Sequence, residues 1–317
     1  MKIVAVTGCM GLIGSHVTSE LLQRGYLVLG IDKLTYAANS EAMQTFNGLP
    51  GFTFLQKDIC ELESIPDCDY VINLAAESHV GNSIIDGTDF INTNISGVQN
   101  LLKIIQNKPS NVCERPVLLH FSTDEVYGDL EEGSFTEDSS LNPSNPYSAT
   151  KAAADHLIKS WSRTYGTEYV IVRPTNNYGI FQYPEKLIPL SVKLLQRGKK
   201  IRLHNKGEPT RNWLHAADTA NAIITIMESG VKNEIFNISG GFEQKNIDTV
   251  KKVIDCYFEE EVEDYDQYLD FSYEREGQDV RYSVDDSKLR KLGWEPKFNF
   301  DEEIKHIVKH YRKTFVW

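Results

Sequence analysis

The first thirty-two residues constrain this chain more than any later stretch. Residues 2–7 (KIVAVT) form a short β-branched run that ends in glycines. Residues 12–24 (LIGSHVTSELLQR) then place Leu12, Ile13, Val17, Leu21 and Leu22 at helical spacing, and Gly25 stops the helix. Residues 26–31 (YLVLGI) read as a second strand that ends at Asp32. Strand, helix and strand within about 30 residues make a β-α-β unit, the opening of a parallel sheet.

The alternation continues. Further strands are expected at 52–56, 69–74, 116–121 and 168–173, with helices at about 86–107 and 147–165. Near-continuous apolar strands imply a sheet covered on both faces, so the fold class is α/β, a Rossmann-type doubly wound parallel sheet. After residue 174 the pattern changes. Residues 174–184 read as loop, 185–197 and 212–229 as helix, 234–238 as strand, 259–270 as an acidic solvated face or loop, and 301–313 as helix. With no repeat and no low-complexity linker, a smaller C-terminal domain is expected to interleave with the first.

At 317 residues the chain is long enough for roughly two domains of ~150 residues. Its 33 Lys and Arg stand against 45 Asp and Glu, a net charge of -12, which argues against nucleic acid or an anionic membrane as the main partner. The 5 Cys are widely spaced with no CxxC, which fits reduced thiols in the cytoplasm and neither a disulfide framework nor a zinc site. His306 and His310 lie one helical turn apart, but without HExxH or an acidic third ligand they read as a solvated face, and no metal is expected. No stretch approaches the ~20 apolar residues of a membrane span.

Four constellations bear chemistry. Gly8, Gly11 and Gly14 sit between strand and helix, where glycines let the backbone approach a pyrophosphate and a helix N-terminus offers N–H groups. The spacing is GxxGxxG rather than GxGxxG, so the triplet alone also fits a turn with no ligand. Asp32, at the end of the second strand, is where an acid binds an adenosine ribose and repels a 2′-phosphate, favouring NAD over NADP. Tyr147 and Lys151, spaced i and i+4 after Asn145-Pro146, share one helix face, where an ammonium and an oxidised nicotinamide favour the phenolate. By itself the pair also fits a solvated amphipathic helix. Ser122-Thr123-Asp124-Glu125 follows the strand at 116–121, at the sheet edge where ligands bind. A helix cap or turn is the competing reading there. Beyond residue 174, Asn176, Asn177, Glu185, Lys186, Arg211, Asn212, Asn237 and Arg275 are candidate phosphate or sugar binders, although no spacing rule joins them.

Together these strings resemble the extended short-chain dehydrogenase/reductase family, and within it the nucleotide-sugar 4,6-dehydratases of the dTDP-glucose type. The specific matches are AAESHV (75–80), STDEVYG (122–128), NPYSATKA (145–152), NNYG (176–179), QYPEKLIP (182–189) and RNWL (211–214). The resemblance implies an NAD-dependent lyase that converts a nucleoside-diphosphate glucose to its 4-keto-6-deoxy product. UDP-glucose or UDP-N-acetylhexosamine dehydration, or nucleotide-sugar 4-epimerisation or decarboxylation, are the alternatives. By the same resemblance Tyr147, Lys151 and Thr123 act at C4, Glu125 is the base at C5, and Asp124 is the acid at C6. Gly8, Gly11, Leu12, Ile13, Gly14, Asp32, Asp58, Ile59, Ala75 and Ala76 would hold the cofactor with Tyr147 and Lys151. Ser78, Asn176, Glu185, Lys186, Leu187, Arg211, Asn237, Arg275 and Gln278 would hold the substrate. Residues 1–174, with 212–238 returning, would bind NAD, and 175–211 with 239–317 would bind the substrate. A homodimer through a four-helix bundle is implied, with the helices at about 86–107 and 147–165 as candidates. His204 stands where the dTDP-type enzymes have a Tyr, near the expected base-binding end.

One stereochemical demand follows. Successive residues on an extended chain point apart, so Asp124 and Glu125 reach adjacent sugar carbons only if the backbone bends there.

Overall fold

The computed structural model describes residues 2–108, 114–274 and 279–313. Seven parallel strands form the main sheet: β1 (Ile3–Thr7), β2 (Leu27–Asp32), β3 (Phe52–Gln56), β4 (Tyr70–Asn73), β5 (Val117–Phe121), β6 (Tyr169–Pro174) and, from later in the chain, Glu234–Ile238. Their spatial order runs β3-β2-β1-β4-β5-β6 and then the late strand. The order reverses between β1 and β4, which opens a crevice at the carboxyl ends of the strands. The sheet is buried on both faces. One apolar layer joins Val4, Val6, Val17 and Leu21 to Ile223, Ile226 and Phe236, and the other joins Ala5, Val71 and Leu118 to Leu101, Ile105 and Ile158.

Three polar side chains pin the middle of that edge. Thr7 Oγ1 donates to Asn73 Oδ1 at 2.6 Å, and Asn73 Nδ2 donates to His120 Nδ1 at 3.1 Å. These bonds tie β1, β4 and β5 together just below the crevice. Burial, then the nearby Lys151 ammonium, keeps His120 well below the usual imidazole range.

The smaller sheets grow from the second half. β7 (Asn176–Tyr178) lies in residues expected as loop, and β8 is Ile201–Arg202. β9 (Thr210–His215) pairs with β7 in parallel and with Phe242–Lys245 antiparallel. The late strand of the main sheet is β10, Phe242–Lys245 is β11, and Leu269–Asp270, paired with β8, is β12. The helix expected over 212–229 is therefore corrected. Residues 211–215 are buried strand, and the helix begins only at Ala216, where His215 Nδ1 accepts from Ala217 N at 3.2 Å as its cap. The helix expected over about 86–107 is present from Thr88 to Gln106, with a π turn inside it. It runs Thr88–Ile91, a π-helical segment Asn92–Gly97, and Val98–Gln106. The π turn carries buried Asn94, which accepts from Glu77 N and donates to Glu77 O and Thr150 Oγ1. Such turns absorb one extra residue and recur at functional sites. The helices Ser40–Phe46 and Asn246–Phe258 had no counterpart in the pattern reading.

The helix Pro146–Tyr165 matches the expectation closely. Asn145 caps it through a capping box with Ser148, Pro146 opens it, and Gly166 ends it at φ +71°. Leu289 and Trp294 pack beside Met227 and Phe236, so the chain returns to the main core once more near its end. No helix among the described residues is long and apolar enough to cross a membrane.

Candidate active site

A cleft of about 510 Å³ runs along the carboxyl edge of the main sheet and on between the two halves. Its floor begins at the glycine turn. Gly8 has φ +68°, and a Cβ there would lie 2.7 Å from Ala75 N. A Cβ at Gly14 would lie 2.0 Å from Gly8 O, so this glycine lets the helix seat on the strand. Gly11 is different. Its backbone is extended at φ -78°, and a Cβ would meet only Gly8 O, at 3.4 Å. Nothing inside the protein demands glycine there, yet the position faces the cleft. The open cradle suits the close approach of a pyrophosphate to the N-terminus of the helix Leu12–Gln23.

Asp32 sits at the end of β2. Its Oδ2 accepts from Met10 N at 3.0 Å and its Oδ1 from Leu34 N at 2.8 Å. The Lys33 ammonium is held by Asp58 at 3.5 Å and Glu77 at 3.4 Å. Asp58 itself forms a turn, accepting from Cys60 N at 2.9 Å, above the buried Ile59. Ala75 and Ala76 complete the wall after β4. This donor set fits the adenosine and diphosphate of NAD: an acid at the ribose position, a glycine cradle at the phosphates, and a lysine already paired with two carboxylates.

The bend demanded by Asp124 and Glu125 is present. Thr123 is extended, and Asp124–Tyr127 immediately turn into a 3₁₀ helix. Thr123 Oγ1 accepts from Glu125 N at 3.3 Å and meets Asp124 Oδ1 at 3.2 Å. Both carboxyls line the cleft with Tyr147 and Lys151. Burial, and then the neighbouring Glu125, pushes Asp124 up to about 8, against the pull of Arg211 and Thr123. Burial also raises Glu125, where Arg211 and the Asn145 amide oppose it. At neutral pH Asp124 is therefore held toward its protonated form.

Tyr147 is raised by burial and then by Glu125, with Thr123 lowering it. The Lys151 ammonium donates to Phe121 O at 2.5 Å, and burial lowers it to about 8 against Asp155. Asp155, one turn further along the helix, holds Arg173 at 2.9 Å, and Arg173 donates to the Tyr127 hydroxyl at 2.7 Å.

On the substrate side Ser78, Asn176, Glu185, Lys186, Leu187 and Arg211 all reach the cleft. Lys186 Nζ donates to Ser78 O at 2.9 Å. The Arg211 guanidinium lies over the Tyr282 ring at 4.7 Å and donates to Asp279 O at 3.2 Å. Asn237 is the correction. It lies on β10, fully buried, with its side chain accepting from the Tyr127 hydroxyl at 2.8 Å and donating to Phe135 O and Asp285 O. Those bonds consume its amide inside the protein, away from the cleft. Arg275 and Gln278 lie outside the described residues. Asn177 lines the cleft, whereas Asn212 donates to Ser239 Oγ at 3.1 Å. The sequence reading missed Tyr183, Trp213 and Tyr282, three aromatic walls of the cleft. Tyr183 lies within QYPEKLIP and Trp213 within RNWL, with no spacing to mark either, and Tyr282 lies in no motif. His204 lines the far end, near the Tyr273 ring that Arg202 covers at 4.7 Å. No group of three His, Cys, Asp or Glu among the described residues is placed to hold a metal ion.

Comparison with known proteins agrees with this geometry. The family model described as GDP-mannose 4,6 dehydratase matches residues 5–307. A dTDP-glucose 4,6-dehydratase of Haemophilus influenzae is 39% identical over 333 residues, covering 98% of each chain. The Escherichia coli K12 enzyme named dTDP-glucose 4,6-dehydratase 1 is 38% identical over 341 residues, covering 100% of this chain and 94% of that one. The solved structure of a dTDP-glucose 4,6-dehydratase from Streptomyces venezuelae, with NAD bound, superposes with a TM-score of 0.90 at 35% identity, covering 99% of this chain and 98% of that one.

Proposed function

The chain belongs to the GDP-mannose 4,6 dehydratase family, and we propose that it converts dTDP-glucose to the 4-keto-6-deoxy sugar. The observation that carries this reading is the 3₁₀ turn that presents Asp124 and Glu125 side by side in the cleft of Tyr147 and Lys151, with Asp124 held up to about 8.

Gly8, Gly11, Gly14, Asp32, Asp58, Ile59, Ala75 and Ala76 would hold NAD, with Lys151 and Tyr147 at its nicotinamide end. Held there, NAD would supply the hydride acceptor for oxidation at sugar C4 and the hydride donor for reduction at C6. Tyr147 takes the C4 hydroxyl proton, and Thr123 hydrogen-bonds the same oxygen. The C4 ketone acidifies the neighbouring C5–H, and Glu125 removes that proton. Asp124 gives its proton to the C6 hydroxyl, which leaves as water, and when C6 is reduced Glu125 returns a proton to C5. One step thus uses an acid and a base together, which is why two adjacent carboxyls with opposite protonation states are needed. Arg211 and Lys186 supply positive charge toward the diphosphate, and Asn176 and Ser78 supply hydrogen bonds.

The division of labour we assign is 1–174 with 212–238 for NAD, and 175–211 with 239–317 for the substrate. A homodimer is part of the proposal. The exposed Ile84, Ile85 and Ile91 beside the helix Pro146–Tyr165 favour an apolar helical interface. The cytoplasm is the proposed compartment, since Cys9, Cys60, Cys68 and Cys256 are free thiols and the reaction uses NAD.

The test is the purified protein with NAD and dTDP-glucose carrying deuterium at C4. The expected product is lighter by one water and carries the label in its C6 methyl group. If no such species forms from dTDP-, UDP- or GDP-hexoses, the reading fails.

A further inference from the structure

We infer that Asn145 is a positioning residue for the reaction, tying the base Glu125 to the first turn of the helix that carries Tyr147 and Lys151. This rests on the dehydratase reading above.

The geometry leaves the Asn145 amide only one orientation. Oδ1 accepts from Ser148 N at 3.0 Å, closing the helix cap, and Ser148 Oγ receives the Asn145 backbone N–H at 3.3 Å. With the oxygen committed to the helix, Nδ2 turns outward and donates to Glu125 Oε2 at 3.4 Å. Asn145 is buried, so its bond to Ser148 is made away from bulk water, while its bond to Glu125 lies part-buried at the wall of the cleft.

The cap alone does not explain asparagine. Capping needs an acceptor, and Asp or Ser would serve, Asp with the added benefit of a negative charge at the helix N-terminus. Among the strong caps only asparagine carries a carbonyl acceptor and an N–H donor on one planar group. The donor is what Glu125 uses. An Asp at position 145 would instead set another carboxylate against Glu125, which already has Asp124 beside it and Asp279 nearby.

The other groups around Glu125 come from separate elements. Arg211 on β9 and Lys186 before the helix Leu187–Gln196 favour its charged form, and Asp279 opposes it. Tyr147 and Tyr282 also feel its charge. Among the neutral donors Asn145 is distinctive in being fixed to the Tyr147 helix by a second bond. Two groups that take protons at adjacent sugar carbons, Tyr147 at the C4 hydroxyl and Glu125 at C5, therefore share one anchor. A displacement of about 1 Å between such groups costs on the order of 100-fold in rate.

The experiment uses full-length Asn145→Asp and Asn145→Ser with NAD and dTDP-glucose, beside the wild-type protein. Both variants keep a capping acceptor. In Asn145→Asp the like charge should raise Glu125, so the acidic limb of the kcat–pH profile moves up by about one unit or more. In Asn145→Ser kcat should fall by roughly 10- to 100-fold with little change in KM. In both, the isotope effect on kcat from deuterium at C5 should rise, because proton removal at C5 becomes limiting. If both variants keep the wild-type acidic limb and C5 isotope effect, Asn145 is a cap only and the proposal falls. Should Asn145→Asp not fold, Asn145→Ser decides alone through its isotope effect. A wild-type protein that makes no dehydrated product overturns the dehydratase reading instead, so the two failures are distinct.

Discussion

The Tyr36 hydroxyl donates to the Glu185 carboxylate at 3.1 Å, joining the loop after β2 to the loop before the helix Leu187–Gln196. The Tyr36 ring also meets Tyr183 edge-on at 5.0 Å. Thr35 and Ala37 on one side and Tyr183 and Glu185 on the other line the cleft, so the bond joins its two walls. A cofactor that must give back what it took cannot leave between the two transfers, and a strap here resists its escape. Tyr36→Phe should fold normally, since a half-exposed neutral-to-charged hydrogen bond contributes only about 1–2 kcal/mol. It should release NAD several-fold faster than the wild type, read by stopped-flow displacement. An unchanged release rate would show the bond to be incidental.

Asp124 allows a sharper separation of steps. Asp124→Asn keeps shape and hydrogen-bonding capacity but removes the acid. C5 proton exchange with solvent should persist while loss of water slows by roughly 10²–10⁴-fold. The products of a reaction in heavy water, resolved by mass, report both. A variant that eliminates at the wild-type rate would remove Asp124 from the acid role.

The same substitution should alter stability with pH. The Asp124 carboxyl is raised from 3.8 to about 8 in the folded protein, so the folded state holds a proton that the unfolded state releases. Wild-type stability should therefore fall as pH rises from about 4 to about 8, by up to about 1.4 kcal/mol per pH unit from this group. Asn has no such dependence. The melting temperature of Asp124→Asn relative to wild type should climb steadily from pH 5 to pH 8. A constant difference would show that Asp124 ionises normally.

These expectations rest partly on what the sequence discloses and partly on what it hides. The β-α-β opening, the glycine turn, Asp32 and the helix from Pro146 were legible because each is written in local chemistry: periodicity, a cap, a stop. The bend at Asp124 was legible as a demand of two carboxyls on one sugar. β9 was not. Residues 213–215 run into a helical pattern, and the strand exists because Asn176–Tyr178 and Phe242–Lys245, remote in sequence, flank it. Asn237 misled for a similar reason. A polar residue in a strand looks available for a ligand until Tyr127, Phe135 and Asp285 are seen to take its whole amide. The Tyr36–Glu185 bond, 149 residues apart, left no local mark at all.

Gly11 and Gly14 differ by three positions and should fail in opposite ways. An alanine methyl at position 14 would sit 2.0 Å from Gly8 O, a backbone atom that cannot step aside. Gly14→Ala should thus lose several degrees of melting temperature or fail to fold, whether or not NAD is present. At position 11 the methyl meets Gly8 O at an ordinary 3.4 Å, and the backbone angles suit any residue. Replacing glycine by alanine at this helix N-cap costs at most about 1 kcal/mol. Gly11→Ala should therefore melt near the wild type without NAD but bind NAD at least 10-fold more weakly, because the methyl fills the space a pyrophosphate needs. Calorimetric titration with NAD beside a thermal melt separates the two. Wild-type NAD affinity in Gly11→Ala would mean that the diphosphate does not lie against this turn.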